Sequence, residues 1–280
     1  MMNLKICDTH NDFLTELEAG ELAGYIEACG REKVETICAS YWPTKKSKEK
    51  IKNELPRRAE ILRNASPSYL LHIEDLWWVQ TPEDAKLLAS LEPFSCSLTW
   101  NDKNSLASGS KAEGGLTEWG RFVLAQLLEA GVTVDVAHLN RESFYDVVKI
   151  VGNNIYCSHT GFYGVRRSPR NLTDKQIDII VRSGGFVGLF FFDKCLKKSS
   201  DKSAFSIKDI VKSLRYFTSR WGYDNIGIGS DFYGIENYPE GLEGYSDFPN
   251  LYVALKEEGW SEAQIDKVIY SNFNRFKNHS

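Results

Sequence analysis

Leu4-Lys5-Ile6-Cys7-Asp8-Thr9-His10-Asn11-Asp12 is a short apolar segment closed by a His-x-Asp pair. Strand side chains repeat every two residues, so His10 and Asp12 share one face. An imidazole and a carboxylate aimed at one point suit a divalent metal such as zinc. Alone, such a pair more often marks a turn with a hydrogen-bonded histidine. The fold is decided by recurrence. Apolar runs rich in β-branched residues predict strands near 4–9, 34–40, 68–74, 93–100, 132–138, 153–159, 185–191 and 225–231. Helical patterns lie between them. Thr173-x-x-Gln176 and Ser261-x-x-Gln264 read as capping boxes. Leu116, Trp119, Val123 and Leu127 form one apolar stripe, Phe144, Val147, Val148 and Val151 another, and Ile210, Leu214 and Phe217 a third. These end at Gly131, Gly152 and near Gly222. Alternating strands and helices imply parallel strands with crossover helices. Eight of them predict an α/β chain closed as a (β/α)8 TIM-like barrel. No linker or low-complexity stretch divides residues 1–280, so one barrel domain is expected.

Composition narrows the function. A length of 280 residues supports a substantial core. A net charge of -4 gives no basic footprint for nucleic acid. No apolar run approaches the ~20 residues needed to cross a bilayer, so no membrane partner is expected. No Gly-x-Gly-x-x-Gly follows the first strand, which disfavours a dinucleotide-binding sheet. The chain runs from Met1 straight into a strand-like segment, and the six cysteines include no Cys-x-x-Cys. A reduced, cytoplasmic setting is the simplest fit.

Residues able to ligate a metal collect at one end of the predicted strands. His10 and Asp12 close the first, Glu74 the third, His138 the fifth, His159 the sixth and Asp231 the eighth. All fall at C-terminal strand ends, the face where barrel enzymes keep their chemistry. Three of the chain's five histidines occupy these slots, a concentration that burial alone would not produce. Three histidines and three carboxylates exceed the needs of one zinc. A carboxylate such as Glu74 can bridge two metals ~3.5–4 Å apart, where a shared water loses its proton near neutral pH to give a hydroxide nucleophile. His72, two residues before Glu74, reads as a core histidine.

At these residues the chain resembles the renal (membrane) dipeptidase family of zinc metallopeptidases. The resemblance rests on Asp8-Thr9-His10-Asn11-Asp12, Asp135-Val136-Ala137-His138, Ser158-His159, Arg170-Asn171-Leu172-Thr173-Asp174, Gly184-Gly185, Gly227-Ile228-Gly229-Ser230-Asp231-Phe232 and the closing Ser271-Asn272-Phe273. It implies an amidohydrolase-type barrel with two Zn2+ ions that hydrolyses dipeptides. His10 and Asp12 would hold one ion, His138 and His159 the other, with Glu74 between them. Asp231 would lie beside the first ion and move the proton. Arg170 matches the arginine that grips the substrate's C-terminal carboxylate, with Arg166 and Arg167 close by as substitutes. Relatives are often dimers, and the resemblance extends that expectation to a homodimer here.

Two departures stand out. Many relatives carry a histidine after Leu-Thr at the end of the fourth strand, where it contacts substrate. Here Trp100 stands in Ser97-Leu98-Thr99-Trp100-Asn101. An indole can donate one hydrogen bond but cannot accept or titrate, so Trp100 is expected to donate or to wall the pocket, with Asn101 offering a further donor. Around Glu74 the family's glycines are replaced by Asp75 and Leu76. Two rivals to dipeptide hydrolysis therefore stay open. One is another metallohydrolase reaction at the same site, on an N-acyl amino acid or a lactone. The other is a metal-binding relative without turnover.

Overall fold

In the computed structural model, which describes residues 4–43, 46–65, 68–198 and 200–279, strands form where the apolar runs fall. They are β1 (Ile6–Asn11), β2 (Val34–Tyr41), β3 (Ser68–Ile73), β4 (Ser95–Ser97), β5 (Thr133–Asp135), β6 (Tyr156–Thr160), β7 (Phe186–Leu189) and β8 (Ile226–Ile228). Each pairs in parallel with the next, and β8 returns to β1 through Asp8 and Ile228, closing the barrel. The expected (β/α)8 architecture is present. Nearly every strand residue is buried, as it must be when side chains point either into the barrel or under the helices.

The outer layer follows from the predicted stripes. Val123, Leu124 and Leu127 lie on helix Glu118–Glu129, Phe144 and Val147 on Arg141–Val151, Ile177 and Ile180 on Asp174–Arg182, and Leu214 and Phe217 on Ile207–Trp221. All are buried in one apolar cluster with the strands, and each contributes about 1.5–3 kcal/mol by leaving water. Caps fix the helix ends. Thr173 and Gln176 form the predicted capping box, and Gly152 stops its helix at φ +77°, a conformation that a Cβ disfavours.

A second apolar cluster plugs the amino ends of the strands. Phe273 and Phe276 from the C-terminal helix Asn272–Phe276 stack on Tyr156, with Phe186, Cys7 and Cys38 around them. Asn272 anchors that helix by donating to the carbonyls of Tyr223 (2.5 Å) and Ile226 (2.8 Å). One end of the barrel is therefore sealed by aromatic rings, and the polar groups are left to the other. All six cysteines are buried and free. Among the described residues no helix is long and apolar enough to cross a membrane.

Candidate metal centre

Backbone irregularities aim the ligand-type residues inward. The β1–β2 register shifts between Asp8 and Asn11, around His10. The β6–β7 register shifts between Cys157 and Thr160, around His159. Such bulges re-aim a side chain beside a site. β5 and β8 are shorter than the sequence predicts. The chain leaves the sheet after Asp135 and Ile228, and His138 and Asp231 each lie three residues beyond with φ +65°. Two non-glycine residues in the left-handed region at matching places are strain of the kind that collects at functional sites.

The six residues converge. His10 Nε2 lies 3.3 Å from Asp12 Oδ2, 3.3 Å from Glu74 Oε2 and 3.8 Å from Asp231 Oδ1. Glu74 Oε1 lies 3.2 Å from His138 Nε2, and His138 Nε2 is 2.9 Å from His159 Nε2. Glu74 therefore faces one cluster with each oxygen. The first is His10, Asp12 and Asp231, and the second is His138 and His159. His10, His159 and Asp231 form one group with ligand atoms close enough for a single ion, and Glu74, His138 and His159 another. His72 borders the first cluster, but its Nδ1 is hydrogen bonded to Ser95 Oγ at 2.8 Å, as a core histidine's should be.

Burial and charge set the protonation. Burial alone would lower the pKa of His10, but Asp12, Glu74 and Asp231 outweigh it and raise the imidazole to about 10. Burial pushes the Glu74 carboxyl well above the usual range, with His10 opposing. Burial lifts Asp231 to about 7, opposed by His10 and Arg170 and reinforced by Asp12. His138 and His159 are driven well below the ordinary histidine value by burial and then by nearby cations, Arg170 and His10 among them. Both are therefore neutral, the form that ligates a metal.

The donor set fits divalent metal. Three buried carboxylates crowd one imidazole, and in the protein groups alone a proton on His10 is their countercharge; a metal would take that place. Both ring nitrogens of His10 are buried without a hydrogen bond. At the other cluster, His138 Nδ1 lies 3.1 Å from Asn101 Oδ1, which can only accept. His138 Nδ1 therefore carries the proton and Nε2 a lone pair. His138 Nε2 lies 2.9 Å from Nε2 of the likewise buried His159, a pair of imidazole nitrogens that one cation could share.

The centre opens into a cavity of about 610 Å³. Arg170 lines it, with its Nη2 donating to the His159 carbonyl at 2.8 Å and its guanidinium 5.3 Å from the Phe190 ring. Trp100 and Asn101 line it as well. The Asn101 oxygen also accepts from Ser110 Oγ at 2.7 Å, so this residue orients His138 as well as facing the cavity. An added Cβ at Gly234 would displace the carboxylates of Asp12 and Asp231. Asp75 keeps a left-handed conformation at φ +60°, and its Oδ1 accepts from Asn104. Sequence reasoning missed Trp42, Lys111 and Phe190 on the cavity wall. None stands in a spacing pattern, and only the closed barrel brings them together.

Residues 78–279 match the model of the membrane dipeptidase family (Peptidase family M19). An uncharacterised protein in the pqqA 5' region of Klebsiella pneumoniae is 29% identical over 195 residues, covering 66% of this chain and 70% of that protein. The dipeptidase tcpJ of Claviceps purpurea is 26% identical over 172 residues, 61% of this chain. The chain spans only 40% of that fungal protein's length. Among solved structures, a metallo peptidase from Rhodobacter sphaeroides, liganded with a phosphinate mimic of the dipeptide L-Ala-D-Ala, superposes with a TM-score of 0.85. It is 21% identical, over 98% of this chain and 99% of that one, a likeness of fold.

Proposed function

The chain belongs to the membrane dipeptidase family, peptidase family M19, and from that premise we propose that it hydrolyses the amide bond of dipeptides with two zinc ions. His10 and Asp12 would hold one ion, His138 and His159 the other, with Glu74 bridging and Asp231 beside the first. When bound, the pair of ions supplies Lewis acidity and a water whose pKa falls toward neutrality.

The chain's own groups supply the rest. The Arg170 fork suits a carboxylate. From the cavity wall it would hold the substrate's C-terminus and set the scissile amide over the carboxylate cluster. Anchoring one end in a cavity of about 610 Å³ favours dipeptides over long chains. Asp231 Oδ1, 3.8 Å from His10 Nε2 on the cavity wall, is placed to take a proton from water and return it to the leaving amine. Trp42 and Trp100 exclude water from one wall. The phosphinate dipeptide on the related fold supports an L,D-dipeptide as first substrate to try. Six buried free thiols support a reducing compartment, and the cytoplasm is the one we propose.

The observation that carries this reading is the position of Glu74, with its oxygens 3.3 and 3.2 Å from the Nε2 atoms of His10 and His138. The test is zinc content per chain, measured beside hydrolysis of an L,L- and L,D-dipeptide panel with and without added zinc. Two zincs with turnover are expected. Two zincs without turnover on dipeptides, but with hydrolysis of N-acyl amino acids, would overturn the substrate assignment. A chain that binds no metal would overturn the centre itself.

A further inference from the structure

Two buried carboxylates tie the ligand-bearing strand ends together, and they do so in the same way. Asp135 Oδ1 accepts from the backbone N–H groups of Ala137 and Ser158, each at 2.9 Å, and Oδ2 accepts the Ser158 hydroxyl. Across the barrel, Asp8 Oδ1 accepts from the backbone of His10 (3.2 Å) and Ser230 (2.8 Å), and Oδ2 accepts the Ser230 hydroxyl at 2.5 Å. Each aspartate thus holds its own strand end and the serine that precedes a ligand-type residue on a neighbouring strand. The two ties differ in two ways: Asp8 Oδ2 also accepts from the Tyr245 hydroxyl at 2.6 Å, and the residue after the serine is not the same. After Ser230 comes Asp231, which has no tautomer. After Ser158 comes His159.

We propose that Asp135 fixes the tautomer of His159 through Ser158, and so determines which ring nitrogen faces the metal centre. A hydroxyl has one proton. Burial raises the Asp135 carboxyl, but the Ser158 hydroxyl and the backbone N–H groups of Ala137 and Ser158 all point at its oxygens and oppose that shift, holding it as the acceptor of the Ser158 proton. At its other contact, 2.7 Å from His159 Nδ1, Ser158 Oγ can therefore only accept. The proton is placed on Nδ1, and Nε2 keeps its lone pair, directed at His138 Nε2. His159 and Ser158 are buried, so bulk water cannot supply a competing partner. His72 Nε2 lies 3.7 Å from Asp135 Oδ2, and His10, Cys38, Cys96, Tyr156 and Cys157 are further titratable groups in its electrostatic surroundings. Ligating histidines commonly donate their second N–H directly to a carboxylate or carbonyl. Here a serine is interposed. Asp135 and Ser158 are positioning residues, acting on the centre through His159.

The Asp8 tie serves as the internal control, because it bears the same backbone load without an imidazole at its end. The experiment is a long-range 1H–15N correlation of the histidine rings in the full chain treated with EDTA. It reads the tautomer without metal or turnover, so it stands or falls independently of the dipeptidase reading. In the wild type, His159 is expected as the Nδ1–H form. In Asp135→Asn, the amide oxygen stays on the two backbone donors and the amide N–H faces Ser158 Oγ. The hydroxyl proton is then free to turn to His159 Nδ1, and His159 should appear as the Nε2–H form. Asp8→Asn should leave the His159 signal unchanged. Chelator competition with zinc should show Asp135→Asn losing about 10–100-fold in affinity at one of the two metals. If Asp135→Asn does not fold, Ser158→Ala gives the same test, since it keeps the backbone bonds to Asp135 and cuts only the relay. His159 should then lose its single tautomer and one metal should bind about tenfold more weakly. An unchanged tautomer in whichever of these variants folds would overturn the proposal. So would the same flip in Asp8→Asn.

Discussion

Trp42 and Trp100 pack with their ring centroids 4.9 Å apart and their planes 46° off parallel, forming one aromatic wall of the cavity. Lys111 Nζ stands 5.6 Å from the Trp100 ring, and the His138 ring lies 6.1 Å from it. Trp100 therefore packs against both the centre and a lysine on the cavity wall. Such a wall favours a substrate with an apolar side chain. Burying a ring-sized portion of that side chain contributes about 1.5–3 kcal/mol, roughly 10–100-fold in binding. Trp100→Ala should raise KM by about tenfold for dipeptides with Leu or Phe side chains and much less for Gly and Ala ones. Equal changes across the panel would show that Trp100 only supports the fold.

Arg170 has two jobs in the geometry, donating to the His159 carbonyl and lining the cavity. The second predicts chemical selectivity. A charge-assisted hydrogen bond is worth about 1.5–3 kcal/mol. Arg170→Ala should lower kcat/KM by about 10–100-fold for free dipeptides, and by a few-fold at most for C-terminally amidated analogues. Equal losses on acid and amide would leave only the structural job.

Asp231→Asn separates binding from proton transfer. The amide keeps an oxygen near His10 but cannot take a proton. Zinc content should stay near the wild-type level while kcat falls by about 10²–10⁴-fold, the usual scale of general acid–base catalysis. Metal analysis beside steady-state kinetics decides it, and an unchanged kcat would remove Asp231 from the proton path.

What was legible in the sequence had a local signature. The strands show as β-branched runs, and His10, Glu74, His138, His159 and Asp231 show because polar ligands at the ends of apolar runs are costly unless used. Asn101 and Lys111, from the stretch 101–115, and Tyr233 and Glu236, from the stretch 232–248, line the cavity over that face. The second layer around the ligands was not legible. Ser230 meets Asp8 across 222 residues of chain, and only the closing of β8 on β1 brings them together. Asp135 and Ser158 meet because β5 pairs with β6, and their individual residue types carry no signal of their own. β5 and β8 end earlier than their apolar runs because the backbone turns left-handed to deliver His138 and Asp231, a conformation that neither residue type announces.

Stability in acid should depend on Asp84, far from the centre. Its side chain is fully buried at the start of helix Pro82–Ser90. Oδ2 accepts from the backbone N–H groups of Gln80 and Thr81 at 2.9 Å each, and Lys48 and Lys52 from helix Lys48–Arg63 reach its two oxygens at 2.5 Å. Burial alone would raise this carboxyl, but the two lysines and the backbone donors overcome it and hold the pKa well below the usual range. A depressed carboxylate stabilises the fold at every pH above its unfolded value, about 3.9. That contribution fades as pH falls through this value toward the folded one. Asp84→Asn should therefore cost about 2–3 kcal/mol at pH 7, the scale of charged hydrogen bonds lost at a buried site. The gap between wild type and variant should hold down to about pH 5 and narrow below about pH 4. Urea midpoints across that range measure it directly. A variant as stable as wild type at pH 7, or a gap that widens in acid, would show that the two lysines contribute nothing through Asp84.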